Sequence, residues 1–333
     1  MFTVADARRA AVTLFMQSAA LNGQTRSSFM LDADVLLQHF LKKTRAWLFA
    51  HDDADISAVR DAFLAAVAQR ATGLPIAYIT GEKEFWGLPF HVTPDVLIPK
   101  PDTELLVERS LTIIKEKIAA SQPDRMFSIL DPCTGSGCVI LSILHTLEME
   151  GMCNVRCVAA DISPTALAIA RFNARRILSV DAQARLLIMK GDMRRLPELP
   201  ACCVQMDTVQ TAYMQQGNFQ KNSMYPNAFD LIAANPPYVP SCLTQELLQD
   251  GRSEPALALD GGMDGLDFIR VLTNNSKTIL GAHGVLLTEV GEYHAKAACG
   301  LFEQAGFSAV RIHQDLAGQD RLIEGALEHP HKQ

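Results

Sequence analysis

From about residue 106 onward, short apolar runs alternate with amphipathic stretches, and this alternation constrains the fold more than any other feature of the sequence. The runs Phe127–Leu130, Val155–Ala160, Leu186–Lys190, Phe229–Ala234, Val285–Val290, Ala309–Ile312 and Arg321–Gly325 read as strands. Between them, Val139–Leu147, Ser163–Ile177, Leu266–Leu280 and Tyr293–Ala305 carry helical spacing. Strands separated by helices cannot pair through tight hairpins, so the expected class is α/β with a mostly parallel sheet. Gly281 and Gly306 are expected to end the last two helices.

The first 75 residues have a different texture. Asp32–Trp47 places Val35, Leu36, Phe40, Leu41 and Trp47 near a helical period, and Ile56–Arg70 repeats the pattern with Ser57 as its cap. Gly73 and Pro75 then stop the helix. Three segments follow from this: a small helical bundle over 1–75, a connector with a hairpin (Phe85–Val92) over 76–105, and the α/β domain over 106–333. Asp192 and Asn235 are 43 residue steps apart. A crossover plus strand needs only ~20. Residues 203–228, rich in Gln, Asn, Met and Ser, therefore read as a mobile insertion.

Composition removes several function classes. The net charge of −7 opposes a broad phosphate-binding face, and residues 1–75 hold eight basic against seven acidic side chains. Direct nucleic-acid binding is not expected. No apolar run reaches membrane-spanning length, and the N-terminus carries no secretory pattern. The eight cysteines form no CxxC pair and no zinc spacing. Reduced thiols, a cytoplasmic location and no metal are the expectation.

Asp131-Pro132-Cys133-Thr134-Gly135-Ser136-Gly137 follows the first strand of the α/β part and precedes a helix. Glycines there let the backbone approach a ligand at the carboxyl edge of the sheet. Asp161 ends the next strand, 24 residues after Gly137. An acid at that place suits the hydroxyls of a ribose. Asp192 closes a third strand at the same edge. Ile140 stands where a dinucleotide fingerprint has its third glycine, and no Walker phosphate loop is present. A nucleoside without pyrophosphate, such as S-adenosylmethionine, fits this pattern.

Asn235-Pro236-Pro237-Tyr238 ends the fourth strand. Two prolines cannot continue it, so a rigid turn presents an amide, a carbonyl and a ring. The Asn235 oxygen and the Pro236 carbonyl can accept two N–H groups from one planar –NH₂, while Tyr238 can stack on its face. Holding both hydrogens steers the nitrogen lone pair toward a methyl donor.

With these motifs in place, the chain resembles the protein-(glutamine-N5) methyltransferases of the HemK/PrmC family. Asn-Pro-Pro-Tyr alone is shared with DNA adenine-N6 methyltransferases. The resemblance to the glutamine enzymes is carried further by Gly73–Gly81, Phe85-Trp86-Gly87 and Val96–Glu104, the last of these matching a Pro-Arg-Pro-x-Thr-Glu signature. Glu254-Pro255, Gly261–Gly265 and Asp315–Arg321 extend it.

The resemblance implies a seven-stranded, Rossmann-like methyltransferase sheet with its last strand antiparallel, beside an N-terminal helical domain that docks class I peptide chain release factors. It implies S-adenosylmethionine as donor and the glutamine of a Gly-Gly-Gln motif as acceptor. By position, Cys133, Thr134, Gly135, Ser136 and Gly137 line the cofactor's methionine part and Asp161 takes the ribose. Asp192 and Met193 lie beside the adenine. Asn235, Pro236, Pro237 and Tyr238 hold the glutamine amide, with Asn235 also at the cofactor. A ribosomal-protein glutamine and a DNA adenine are the alternative acceptors. The chain departs from the family at Cys133, where Gly is usual and either a strained residue or a slightly altered loop path is expected; at Lys100, in place of Arg; and at His294, where Gln is common.

Overall fold

The computed structural model describes residues 1–122, 125–196, 229–249 and 253–328. The 203–228 segment lies outside them. Two compact units emerge, one of Met1–Glu82 with Val92–Pro94 and Gln245–Glu254, the other of Lys83–His91, Asp95–Thr244 and Pro255–Gln333.

The first unit is built on helices α1 (Val4–Gln17), α2 (Arg26–Leu41), α3 (Arg45–Ala50), α4 (Arg60–Ala71) and α5 (Ile76–Thr80). Phe15, Phe29, Leu36, Leu37, Leu48 and Phe63 form its core. Each such side chain contributes roughly 1.5–3 kcal/mol on burial. Asp34 is buried among them and accepts from Arg8 Nε at 2.6 Å and Arg45 Nε at 3.2 Å. Two expectations are corrected here. Asp32–Trp47 is not one helix, because Lys42 turns left-handed (φ 54°) and Thr44 restarts the chain by accepting from Trp47 N–H. Ser57 caps no helix. Its hydroxyl donates to Asp55 at 2.6 Å and accepts from Phe2 N–H, and α4 begins only at Arg60, after a 3₁₀ turn.

The second unit takes in most of a hairpin, β1 (Glu82–Phe85) and β2 (Leu88–His91). Trp86 and Gly87 both have positive φ, 55° and 71°. That is the geometry of a two-residue turn matched to strand twist. Phe85 and Phe90 bury in the unit's core, while Trp86 N–H donates to Glu104 and its indole to Thr146.

The sheet consists of β3 (Phe127–Asp131), β4 (Val155–Asp161), β5 (Leu186–Lys190), β6 (Phe229–Ala234), β7 (Leu280–Glu289), β8 (Ser308–Gln314) and β9 (Asp320–Ala326). Its seven strands run in the order β5-β4-β3-β6-β7-β9-β8. β9 alone is antiparallel to its neighbours. Alternate residues face opposite sides, as pleating demands. Ile129, Cys157, Leu231 and Leu287 pack under α6 (Glu104–Ala119), α7 (Cys138–Met149) and α8 (Pro164–Ile177). Leu130, Ala160, Ile232 and Leu286 pack against the helices Asp267–Ser276 and Ala295–Gln304.

Gly306 ends the last helix as expected. It is left-handed (φ 88°), with its N–H on Glu303 O and that of Phe307 on Phe302 O. The expected helix to Leu280 stops instead at Ser276. Asn275 donates its side chain to the carbonyls of Met193 and Arg194, and the Thr278 hydroxyl takes Asn275 O. Polar side chains that compete for the backbone in this way end helices. Gly281 then falls inside β7.

Candidate active site

Strand register aligns the site. Leu130 lies opposite Ile232, Asp131 opposite Ala159, and Ala234 opposite Thr288. One step beyond those pairs, the glycine loop, Asn235 and Glu289 leave adjacent strands along one carboxyl edge. The sheet order reverses between β3 and β6, which is where open α/β sheets form a crevice.

Gly135 and Gly137 supply the loop's left-handed residues, φ 54° and 84°. A Cβ on Gly137 would meet Leu141 Cδ1 at 2.8 Å, whereas one on Gly135 would meet nothing within 4 Å. The space over Gly135 is therefore open. Cys133 is not among the residues with positive φ, so the expected strain at this departure is absent. Its N–H donates to Asp131 Oδ1 at 3.3 Å, and its thiol reaches the backbone of Asn235, with burial pushing its pKa well up. Thr134 and Ser136 are buried.

Asp161 is tied to the loop. Its Oδ2 accepts Gly135 N–H at 2.8 Å and its Oδ1 accepts Ser163 N–H at 2.9 Å. The N-cap of α8 is Ser163 itself, so Asp161 is not needed there. Burial raises the Asp161 pKa against the pull of those N–H groups. Asp192 lies past the end of β5 and is held by Arg194 through Nε and Nη2, which keeps its pKa low. Met193 is buried beside Leu196.

The turn after β6 is clamped from two sides. Asn235 Nδ2 donates to Thr103 Oγ1 at 3.1 Å, and the Tyr238 hydroxyl donates to Glu289 Oε1 at 2.9 Å. Burial, then Glu289, drives the Tyr238 pKa upward. On the other side, Val239 exchanges backbone hydrogen bonds with Leu259 and Gly261. A Cβ on Gly261 would sit 2.7 Å from Tyr238 Cα, and one on Gly265 2.4 Å from the Tyr238 carbonyl oxygen. The His294 ring lies against Gly265 and Gly291, and Pro236 and Pro237 are buried. Thr103 and Glu289 escaped the sequence reading. Thr103 stood within a motif that was noted, and Glu289 is a strand-end acid of the same kind as Asp161. Lys100 heads the Pro101–Thr103 turn, its carbonyl accepting Thr103 N–H at 3.1 Å.

Burial pushes two acids here up to about 7, Asp131 from 3.8 and Glu289 from 4.5. A raised folded-state pKa stabilises the fold below the unfolded value, and that stability is lost as pH rises through about 7. His39, whose pKa burial lowers, works in the opposite direction. Comparison with Glu289→Gln separates them. Thermal melts from pH 5 to 8 should show wild type losing Tm relative to that variant as pH rises, and parallel curves would refute the buried neutral acid.

A seven-stranded sheet with one antiparallel strand, a glycine loop, a strand-end acid and an Asn-Pro-Pro-Tyr turn at the same edge together define a methyltransferase of the amino-group class. Known proteins narrow this further. Residues 16–81 match the PrmC N-terminal domain. The release factor glutamine methyltransferase of Clostridium acetobutylicum is 32% identical over 299 residues, 89% of this chain and 90% of that protein. That of Moorella thermoacetica is 35% identical over 295 residues, 88% and 89% of the two chains. A solved protein-(glutamine-N5) methyltransferase (release factor-specific) from Alicyclobacillus acidocaldarius is 25% identical, covering 72% of this chain and all of its own, with a TM-score of 0.38. The chain belongs to the release factor glutamine methyltransferase family.

Proposed function

We propose that this protein methylates the side-chain amide nitrogen, N5, of the glutamine in the Gly-Gly-Gln motif of class I peptide chain release factors. One observation carries the reading. Asn235 spends its –NH₂ on Thr103, so its oxygen is the atom left to accept an amide N–H from a substrate. The names of the relatives support the glutamine and the release factor.

The loop Cys133–Gly137 and Asp161 would hold S-adenosylmethionine. The open space over Gly135 and the strand-end carboxylate fit a ribose-bearing ligand. Asp192 and Met193 would border its adenine, and Asn235 would lie between cofactor and substrate. When bound, that cofactor supplies an electrophilic methyl group on a sulfonium. The chain's own residues position the nucleophile. Asn235 Oδ1 and the Pro236 carbonyl take the two amide hydrogens, and Tyr238 backs the amide plane. An amide nitrogen is a weak nucleophile because its lone pair is delocalised, so accurate placement accounts for much of the rate.

The N-terminal helical bundle would help dock the release factor. No described helix is long and apolar enough to cross a membrane. The described cysteines are free thiols, which suits the cytoplasm, where we place the protein.

Labelled S-adenosylmethionine offered with release factor, with a Gln→Ala release factor, with ribosomal protein and with DNA tests the assignment. Label should appear on the intact release factor alone. Label on DNA, or undiminished label on the Gln→Ala factor, would overturn it.

A further inference from the structure

Asparagine is poorly suited to the middle of a helix, because its amide competes for the backbone. Asn173 nevertheless stands inside α8 and is fully buried. A buried amide must satisfy two N–H groups and an oxygen. Here all three are used. Nδ2 donates to the His91 carbonyl at 3.0 Å and to the Ser136 carbonyl at 2.9 Å, and Oδ1 accepts His91 N–H at 2.8 Å. A flipped amide would set nitrogen against an N–H and oxygen against two carbonyls, so the partners admit one orientation.

These partners are the end of β2, 82 residues away, and the glycine loop, 37 residues away. With His91 the side chain exchanges both backbone bonds, as a neighbouring antiparallel strand would. The hairpin is itself anchored. Phe90 is buried in the core, and Trp86 donates its N–H to Glu104 and its indole to Thr146. Ser136 stands between Gly135 and Gly137, both left-handed. Glycines have many other conformations open to them, so such a loop must be held from outside. Asp161 holds Gly135 N–H at 2.8 Å, and Asn173 holds the carbonyl of the next residue. That carbonyl lies ahead of the α7 N-cap, Gly137, whose own carbonyl takes Leu141 N–H. Ser136 is 2% exposed, and a buried carbonyl that loses its donor is costly. One turn before Asn173, Ala170 Cβ would lie 3.5 Å from a Cβ on Gly137, so α8 packs on the loop there.

We propose that Asn173 is a positioning residue for the methyl donor. By tying the Ser136 carbonyl to β2, it keeps the loop Cys133–Gly137 in its binding shape before the cofactor arrives. This rests on the reading of that loop as the cofactor site. A loop ordered in advance costs less to bind. Removing the tie weakens cofactor affinity and spares the transfer step at saturating cofactor, because that step is set at the Asn235 turn.

The test compares Asn173→Ala, Asn173→Asp, Thr146→Val and Asp161→Ala in the full-length protein. The readings are Tm, the Kd of S-adenosylhomocysteine by calorimetry, and kcat and KM with release factor. Asn173→Ala should raise that Kd by about 10- to 30-fold, the scale of one buried hydrogen bond and the ordering of a short loop. KM for S-adenosylmethionine should rise in step, with kcat at saturation kept to within about threefold. Thr146→Val releases the hairpin's Trp86 indole, which donates to Thr146 Oγ1 at 3.0 Å, and should lower Tm without changing Kd. Asn173→Asp keeps the acceptor for His91 N–H but turns an oxygen toward the Ser136 carbonyl, so it too should raise Kd. It decides the matter if Asn173→Ala fails to melt cooperatively. A Kd within about twofold of wild type in the deciding variant overturns the proposal. So does an equal rise in Thr146→Val, which would make lost stability the cause. A fall in kcat as large as the rise in Kd also overturns it, by placing Asn173 in the chemistry. Asp161→Ala tells the failures apart. Weakened binding there beside unaffected Asn173 variants refutes only the tie, whereas unaffected binding in all of them refutes the loop as the cofactor site.

Discussion

Asn235→Ala should lower methyl transfer by at least about 1,000-fold, or ~4 kcal/mol of transition-state stabilisation. Side-chain removal takes away the acceptor that grips one amide hydrogen. It also frees the Thr103 hydroxyl, which is buried and currently accepts from Asn235 Nδ2 at 3.1 Å. The backbone of the turn should survive, because Pro236 and Pro237 stiffen it and Val239 is bonded to Leu259 and Gly261. Affinity for S-adenosylhomocysteine should therefore stay close to wild type. Single-turnover transfer and calorimetry on the same preparation check both halves. Retained turnover would remove Asn235 from the chemistry, and lost affinity would mean that the loop had moved with it.

Asp161→Ala should act on the other partner. The carboxylate accepts Gly135 N–H at 2.8 Å and Ser163 N–H at 2.9 Å, so its loss removes a ligand group and also loosens the glycine loop. Affinity for S-adenosylmethionine should fall by about 100-fold or more, ~2.7 kcal/mol, while kcat at saturating cofactor falls far less. Asp161→Asn can still accept one of the two N–H groups and should fall between wild type and Ala. An unaltered Kd in Asp161→Ala would dismiss the ribose role.

Both effects concern residues that could be found in the sequence, and the reason is physical. A buried strand reads as a largely apolar run, and the polar group that ends it stands out. Phe229–Ala234 followed by Asn235 is such a case, and so is Val155–Ala160 followed by Asp161. Glycines with forced φ values, such as Gly137 and Gly306, mark the turns. What stayed hidden depends on distant partners. Thr103 meets Asn235 across 132 residues, and Tyr238 meets Glu289 across 51. No local period records either meeting. The break at Lys42 was hidden for a different reason, since a left-handed lysine carries none of the signal of a left-handed glycine. The early end of Asp267–Ser276 depends on Asn275 reaching carbonyls more than 80 residues away. The expected strain at Cys133 came from a comparison of residue types, and the backbone accommodates the cysteine without it.

The contact of Gly261 and Gly265 with Tyr238 has a consequence for how this protein can vary over evolutionary time. A single methyl at either position collides with backbone, at 2.7 Å and 2.4 Å, and backbone cannot rotate away as a side chain can. No compensating change at Tyr238 can relieve the clash, because the atoms struck are common to all amino acids. The segment from Asp260 to Gly265 and the turn it braces are therefore inherited as one piece. Drift in this lineage is channelled into surfaces that lie away from both.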